Sequence, residues 1–149
     1  MLPKTVNIAV ATSDEDILAT REVMLQLRPA VRPQEYLPKV RNMMRTDGYH
    51  LARLSENGAV RAVAGYRFMV MLYCGKIMYV DDLNTDEAYR SRGFGKFLLD
   101  WLKAEASANG CDQLHLDSGV QREYTHRFYF REGMTIIAYH FRQALLTSR

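Results

Sequence analysis

Two glycines stand directly before a stretch whose apolar residues have helical spacing. Gly93 and Gly95 lie in AYRSRGFGKFLLDWL, residues 88–102. Three cations surround these glycines, namely Arg90, Arg92 and Lys96. Glycine lets a backbone approach a ligand closely because it has no Cβ. The N–H groups of a helix's first turn carry about +0.5 of a charge and bind anions such as pyrophosphate. The spacing predicts a backbone cradle for an anion; the alternative is a glycine-rich turn with solvated basic side chains.

Two common phosphate-binding loops do not fit these residues. A dinucleotide-binding turn requires a third glycine three residues after the second, and Leu98 stands there. A Walker loop requires Ser or Thr after its lysine, whereas Phe97 follows Lys96. The pattern that remains is Arg-x-x-Gly-x-Gly over residues 90–95.

The composition is typical of one globular domain spanning residues 1–149. Hydrophobic residues make up 48%, charged residues 25%, and the net charge is +3. A charge this small does not require a nucleic-acid partner, and no apolar run is long enough for a membrane span. Cys74 and Cys111 lack metal-type spacing, so no metal site is predicted, and the N-terminus lacks a signal-peptide pattern. These features favour a reduced, cytoplasmic protein.

The predicted element order is β-α-α-β-β-β-α-β-α-β. Alternating and β-branched runs predict strands, at residues 6–12, 49–55, 59–73, 77–85, 113–117 and 134–146. Capping residues, proline and glycine delimit four helices. The first begins near Ser13 and stops at Pro29, and two others span 93–109 and 121–133. A further helix is suggested by the spacing of Tyr36, Val40, Met43 and Met44, is weakened by Pro38 and ends near Gly48. This order predicts an α/β (α+β) fold in which helices cover both faces of a mixed, mostly antiparallel sheet.

The stretch Arg90-Ser91-Arg92-Gly93-Phe94-Gly95 resembles the acetyl-CoA signature of the GNAT superfamily of N-acetyltransferases. The order around it is similar too, with a long strand before, then a helix, a strand, a helix with a Phe-Tyr pair and a closing strand. The resemblance covers residues 49–149 and reaches the first 48 by element count alone. It implies an acetyl-CoA-dependent transfer of an acetyl group to a primary amine, by direct attack of the amine on the thioester.

The resemblance implies which residues hold acetyl-CoA. Leu83, Asn84 and Thr85 would offer backbone groups to the pantetheine arm. The pyrophosphate would lie on the cradle, formed by Arg90, Ser91, Arg92, Gly93, Phe94, Gly95 and Lys96. Many members carry Asn and Ala seven and four residues before the conserved tyrosine. Here Arg122 and Thr125 stand there, which affects the usual side-chain contact to the pantetheine arm but not the backbone cradle.

Tyr129 is the candidate general acid, by resemblance and by chemistry. The leaving thiolate needs a proton, and a phenol held in hydrogen-bond contact can supply it as charge develops on sulfur. The alternative is a core aromatic beside Phe128 and Phe130 with its hydroxyl at the edge.

Asp81 and Asp82 are the candidate groups for handling the amine. Consecutive residues of a regular strand face opposite sides, so one acid should point into a cleft. The resemblance puts the acetyl end of the cofactor just after them, where one acid could collect the amine proton or attract a cationic substrate. Asp81 is favoured and Asp82 remains open, and the alternative is a solvated acid pair.

The partner implied is an amine-bearing acceptor, either a small molecule or a peptide or protein, and a homodimer is suggested at the level of the family. Nucleic acid and membrane are not expected as partners. The alternative function is a non-catalytic acyl-CoA-binding module of the same fold, for which Tyr129 and the acids would be unnecessary.

Overall fold

A five-stranded sheet with the order β1-β2-β3-β4-β5 organises the first part of this computed structural model, which describes residues 5–146. Its strands are β1 (Val6–Val10), β2 (His50–Glu56), β3 (Ala59–Met71), β4 (Gly75–Thr85) and β5 (Gln113–Leu116). Neighbouring strands pair antiparallel except β4 and β5, which are parallel. The predicted mixed, mostly antiparallel sheet is confirmed.

Four helices begin and end close to the predicted positions. They are α1 (Asp14–Leu27), α2 (Pro33–Thr46), α3 (Phe94–Ala108) and α4 (Glu123–Arg131), with one 3-10 turn at Glu87–Tyr89. Ser13 caps α1 by accepting a hydrogen bond of 3.1 Å from the Asp16 N–H. Pro33 occupies the first turn of α2, where the missing N–H has no intrahelical partner to lose.

The helices cover both faces of the sheet, as predicted. Val63 of β3 packs in the core cluster that α1 and α2 form over one face. Tyr66 of the same strand contacts Trp101 of α3, with ring centroids 6.2 Å apart. Because side chains alternate along a strand, these two residues point to opposite faces. The helix pair α1–α2 therefore covers one face and α3 covers the other.

The chain forms two compact units that divide after Leu116. The second unit contains α4 and the stretch 134–146, which has no regular secondary structure. The predicted final strand over 134–146 is therefore wrong. A strand requires a partner for its backbone N–H and C=O groups, and residue pattern alone does not supply one. Among residues 5–146, no helix is long and apolar enough to cross a membrane.

Candidate active site

The loop before α3 has the backbone shape of an anion cradle. Gly93 is the N-cap of α3 and adopts a left-handed conformation with φ of 82°. Ser91, two residues earlier, also has a positive φ of 65°. The first hydrogen bond of the helix runs from the Phe97 N–H to the Gly93 carbonyl, at 3.0 Å. The N–H groups of residues 94–96 therefore have no acceptor within the helix, which is the arrangement that binds anions at helix starts.

The three cations of this loop do not have the same surroundings. Arg92 forms an ion pair of 2.9 Å with Glu56 of β2. Lys96 pairs with Asp100, one turn along α3, at 3.1 Å. Arg90 is exposed and makes no ion pair within the part of the chain that the structure describes. Of the three, Arg90 is therefore the cation whose charge is not already matched by a neighbouring acid.

The end of β4 has a strand on one side only. Parallel pairing with β5 runs from Ile77–Gln113 to Val80–Leu116 and ends there. Antiparallel pairing with β3 continues through Leu83, Asn84 and Thr85. No strand of the described sheet lies on the β5 side of residues 81–85. This segment leaves room for an extended, amide-bearing ligand to add to the sheet edge.

The Asn84 side chain has a structural role in this segment. It is buried, with 7% of its surface exposed, and its amide donates a hydrogen bond of 3.0 Å to the Val23 carbonyl. This bond ties the end of β4 to α1. The neighbouring loop is tied to the same helix by Gln26, whose side chain donates to Asp86 at 3.2 Å and accepts from the Glu87 N–H at 3.0 Å.

A β-bulge brings Asp81 and Asp82 to the same face of the sheet. Gly65 pairs with Asp82 and Tyr66 pairs with Val80, so Asp81 is the extra residue on β4. A bulge interrupts the alternation of side chains and increases the local twist. Both carboxylates consequently meet side chains on the face that α1 covers. The expectation that these acids face opposite sides is wrong, because it assumed a regular strand.

Each acid is held by a basic side chain from another element. Asp81 accepts two hydrogen bonds from the guanidinium of Arg67 on β3, at 3.0 and 2.5 Å. Asp82 accepts 2.8 Å from Nε of Arg28, which follows α1, and 2.7 Å from the Tyr49 hydroxyl. Arg28 also donates to the Asp81 carbonyl at 2.8 Å. The two acids and their donors form one network, which we call the acid cluster.

The acid cluster has an exposed side and a buried side. The Arg28 side chain is 49% exposed, whereas that of Asp82 is 13% exposed. Beneath them, Tyr49 is buried with 5% of its surface exposed. Burial, followed by the negative charge of Asp82, holds the pKa of the Tyr49 phenol well above its usual range. Tyr49 therefore stays protonated and serves as a fixed donor to Asp82.

Tyr129 lies on α4, in the second unit, where its phenol is half-buried. Its ring contacts that of Phe128, with centroids 5.4 Å apart. Burial raises the pKa of the Tyr129 phenol above its ordinary value, and the nearby Arg122 cation opposes this shift. The hydroxyl therefore remains protonated at neutral pH, which is the form that a proton donor requires. Arg122 is the N-cap of the same helix and makes no capping hydrogen bond with its side chain.

Three residues of the acid cluster were not among the candidates from sequence, namely Arg28, Tyr49 and Arg67. Their partners lie 54, 33 and 14 residues away along the chain. One signal was present: two adjacent acids on a strand require donors, since unpaired carboxylates are costly to bury. The acid pair therefore predicts that hydrogen-bond donors are present, but it does not identify the residues that supply them. No group of three or more potential ligands among residues 5–146 is arranged to hold a metal ion.

The sequence is similar to that of a known group of enzymes. The sequence model described as the acetyltransferase (GNAT) family matches residues 17–134. An uncharacterized N-acetyltransferase of Bacillus subtilis (strain 168), YhdJ, is 35% identical over 133 residues, which cover 89% of this chain and 94% of that protein.

The fold is similar to those of solved structures. A transcriptional regulator from Bacillus halodurans C-125 superposes with a TM-score of 0.82 at 21% identity, covering 94% of this chain and 99% of that one. The aminoglycoside N-acetyltransferase AAC(6')-Iy, in complex with CoA, superposes with a TM-score of 0.74 at 14% identity, covering 96% and 100%. At these identities the likeness shows the fold alone. From the family match and the relative at 35% identity, the chain belongs to the acetyltransferase (GNAT) family and is an N-acetyltransferase.

Proposed function

We propose that this enzyme binds acetyl-CoA on the loop before α3 and transfers the acetyl group directly to a primary amine. One observation carries the proposal: a left-handed Gly93 at the start of α3 follows a β4 segment, 81–85, that has a strand on one side only. A helix start suits a pyrophosphate, and a free strand edge suits the peptide-like pantetheine arm. In acetyl-CoA the pyrophosphate is joined directly to the pantetheine arm.

Different residues would then bind different parts of acetyl-CoA. The backbone amides of residues 92–96 would hold the pyrophosphate, and Arg90 would add a charge that no neighbouring acid already matches. The backbone of Leu83, Asn84 and Thr85 would pair with the pantetheine amides, while the Asn84 side chain stays bonded to Val23. This arrangement needs no contribution from Arg122, which stands where the family resemblance implied an asparagine.

The reaction requires three proton movements around one exchange of bonds. The amine nitrogen bonds to the thioester carbonyl carbon, and the carbon–sulfur bond then breaks to release a thiolate. We assign the proton for that thiolate to the Tyr129 hydroxyl, whose raised pKa keeps it in the donor form. The amine must lose its own proton to become nucleophilic and sheds another as the amide forms; these protons pass to solvent or to an acid on β4.

Asp82 suits contact with the amine better than Asp81. Both oxygens of each acid accept hydrogen bonds, but those of Asp81 both come from Arg67, whose side chain is 24% exposed. Asp82 is bonded by Arg28, which is 49% exposed and can be replaced by an incoming ammonium group. The acceptor is therefore proposed to be an amine-bearing compound whose amino group enters beside Arg28. The remaining groups of the acceptor would set specificity through contacts with residues outside the acid cluster.

The test is an acetyl-transfer assay on a panel of primary amines, comprising amino acids, amino sugars, diamines and peptides. Release of free CoA would be followed in each reaction, and mass spectrometry would identify the acetylated amine. We expect CoA release to depend on the presence of an acceptor, and the amount of acetylated amine to equal the amount of CoA released. A folded protein that binds acetyl-CoA but acetylates no amine would instead support the non-catalytic binding module.

A further inference from the structure

Two arginines from different segments share one acid and one aromatic ring beside the cradle. The Arg61 guanidinium carbon lies 3.6 Å from the centroid of the Tyr89 ring, and that of Arg92 lies 5.6 Å from the same centroid. Glu56 accepts a hydrogen bond of 3.4 Å from Arg61 on one oxygen and 2.9 Å from Arg92 on the other. We call Glu56, Arg61, Tyr89 and Arg92 the loop clamp.

The loop clamp joins the β2–β3 hairpin to a strained part of the loop. Ser91 has a left-handed φ of 65°, which is unfavourable for a residue with a Cβ. Such a conformation persists only where the surroundings impose it. Arg92 follows Ser91 directly and is the clamp residue that belongs to the cradle. The backbone adds a second tie, because the Asp86 N–H donates 2.7 Å to the Arg61 carbonyl.

Burial and charge indicate that the clamp is an ordered arrangement of side chains and not a chance surface contact. The side chains of Glu56 and Arg61 are 14% and 18% exposed, whereas that of Arg92 is 50% exposed. One acid placed between two arginines allows both cations to approach the same ring. Each guanidinium also gains from contact with the π face of Tyr89. The Arg92 side chain thus contacts Glu56 and Tyr89, and its guanidinium carbon also lies 5.2 Å from the centroid of the Phe94 ring.

We propose that Glu56, Arg61 and Tyr89 are positioning residues for acetyl-CoA, and that the Arg92 side chain acts as a structural tie instead of a phosphate ligand. This inference rests on the proposed function. By fixing Arg92, the clamp holds residues 91–93 in the shape that presents the helix-start amides to the pyrophosphate. Breaking the clamp lets the loop leave that shape, so cofactor affinity falls although no phosphate contact has been removed.

The variant Glu56→Gln tests the sign of this effect. Glu56 is an acid beside an anion site, so Coulomb attraction alone predicts that its neutralisation strengthens acetyl-CoA binding. The clamp predicts the opposite, because glutamine loses the two charge-assisted bonds that hold Arg92 and Arg61. We expect the Kd for acetyl-CoA, measured by calorimetry, to rise about three- to tenfold, with kcat at saturating acetyl-CoA nearly unchanged.

The matched control is Glu87→Gln, which removes one negative charge from the exposed 3-10 turn of the same loop. We expect its acetyl-CoA affinity to be unchanged or slightly higher. Tyr89→Leu gives a second test that leaves all charges in place and should also raise the Kd. Because the residues act together, the double variant with Glu56→Gln should weaken binding by less than the product of the two single effects.

The inference is overturned if folded Glu56→Gln binds acetyl-CoA as tightly as the wild type or more tightly. It is also overturned if kcat falls while the KM for acetyl-CoA stays the same, since that split indicates a role in chemistry. Failure of the proposed function has a different signature. In that case the wild-type protein itself shows no calorimetric binding of acetyl-CoA, whatever the variants do.

Discussion

The Tyr49 hydroxyl donates a hydrogen bond of 2.7 Å to Oδ2 of Asp82. This contact exists because Gly65 lies under the tyrosine. A Cβ built on Gly65 would come within 1.8 Å of the Tyr49 hydroxyl oxygen. The glycine therefore fixes the position of the phenol, and the phenol in turn fixes the carboxylate that we assign to the amine.

Replacing Gly65 with alanine should displace Tyr49 from Asp82. Overpacking of this kind costs about 1–3 kcal/mol of stability, and the lost hydrogen bond should also raise the KM for the amine. Tyr49→Phe removes the bond without the clash, so it should reproduce the kinetic change with a smaller loss of stability. Thermal melts and acceptor titrations of both variants measure the two effects. Normal stability and kinetics in Gly65→Ala would contradict this account.

Replacing Gly93 with alanine should weaken acetyl-CoA binding. The left-handed conformation costs a residue with a Cβ roughly 1–2 kcal/mol, which the loop can relieve by changing shape. Gly110→Ala is a matched control, since Gly110 also has a positive φ of 74° but follows the other end of α3. We expect similar losses of stability in both variants and a calorimetric affinity loss of about tenfold or more in Gly93→Ala alone. If the two variants bind acetyl-CoA with equal affinity, the loop before α3 does not hold the pyrophosphate.

Replacing Asp82 with asparagine should reduce turnover and raise the KM for the amine more than replacing Asp81 does. Asparagine keeps the shape but loses the charge that attracts an ammonium group. Asp81→Asn breaks the pair with Arg67, so its main effect should be on stability, because it leaves a partly buried guanidinium without its acid. Steady-state kinetics across pH, with thermal melts, separate these outcomes. If neither variant changes turnover or its pH dependence, the acids do not act on the amine.

Deprotonation of Tyr36 should make the protein less stable in alkali. Burial, with a smaller contribution from Asp82, raises the pKa of Tyr36 to about 12, although the hydrogen bond between Tyr36 and Thr20 opposes the rise. The folded state therefore holds this proton more tightly than the unfolded state. The stabilisation is complete below the unfolded pKa of about 10 and is lost as pH rises through the folded value.

The comparison of wild type with Tyr36→Phe isolates this contribution. Phenylalanine has no ionisable hydroxyl, so the difference in unfolding free energy between the two proteins should shrink by about 1.4 kcal/mol from pH 9 to pH 11. Urea denaturation at the two pH values measures it. A difference that stays constant over this range would mean that Tyr36 titrates alike in both states.

Local features of the sequence were sufficient to predict most helix ends and the glycine turn before α3. Ser13 and Gly93 each mark a helix start through the chemistry of one or two turns, and the structure places helices there. The edge of β4 and its acids were likewise located from a short stretch. These features depend on neighbours within a few residues, which sequence patterns describe well.

Features that depend on partners distant in sequence could not be predicted in the same way. The bulge at Asp81 arises from the register with β3, so the relative direction of the two acids was misjudged. The pairing of Arg92 with Glu56 joins residues 36 positions apart, and nothing in the cradle motif indicates it. The stretch 134–146 has a strand-like pattern, but a strand forms only where a second strand accepts its hydrogen bonds.

Replacing Tyr129 with phenylalanine should lower turnover by at least about tenfold, since a positioned general acid contributes about 10²–10⁴ in rate. The change keeps the ring that packs on Phe128 and removes only the hydroxyl. Acetyl-CoA affinity should be nearly unchanged. Tyr124→Phe, an 80% exposed tyrosine on the same helix, is the matched control and should leave turnover as in the wild type.

The pH profile gives this last prediction a second readout. Because burial raises the pKa of Tyr129, its hydroxyl stays protonated through pH 7 to 9, so a loss of activity in that range must come from another group. The Phe variant should therefore be slower by a constant factor across that range. Rapid-quench measurements would first establish that chemistry limits turnover. Wild-type turnover in a folded Tyr129→Phe protein would make Tyr129 a packing residue, and water or the acceptor would then have to supply the proton to the thiolate.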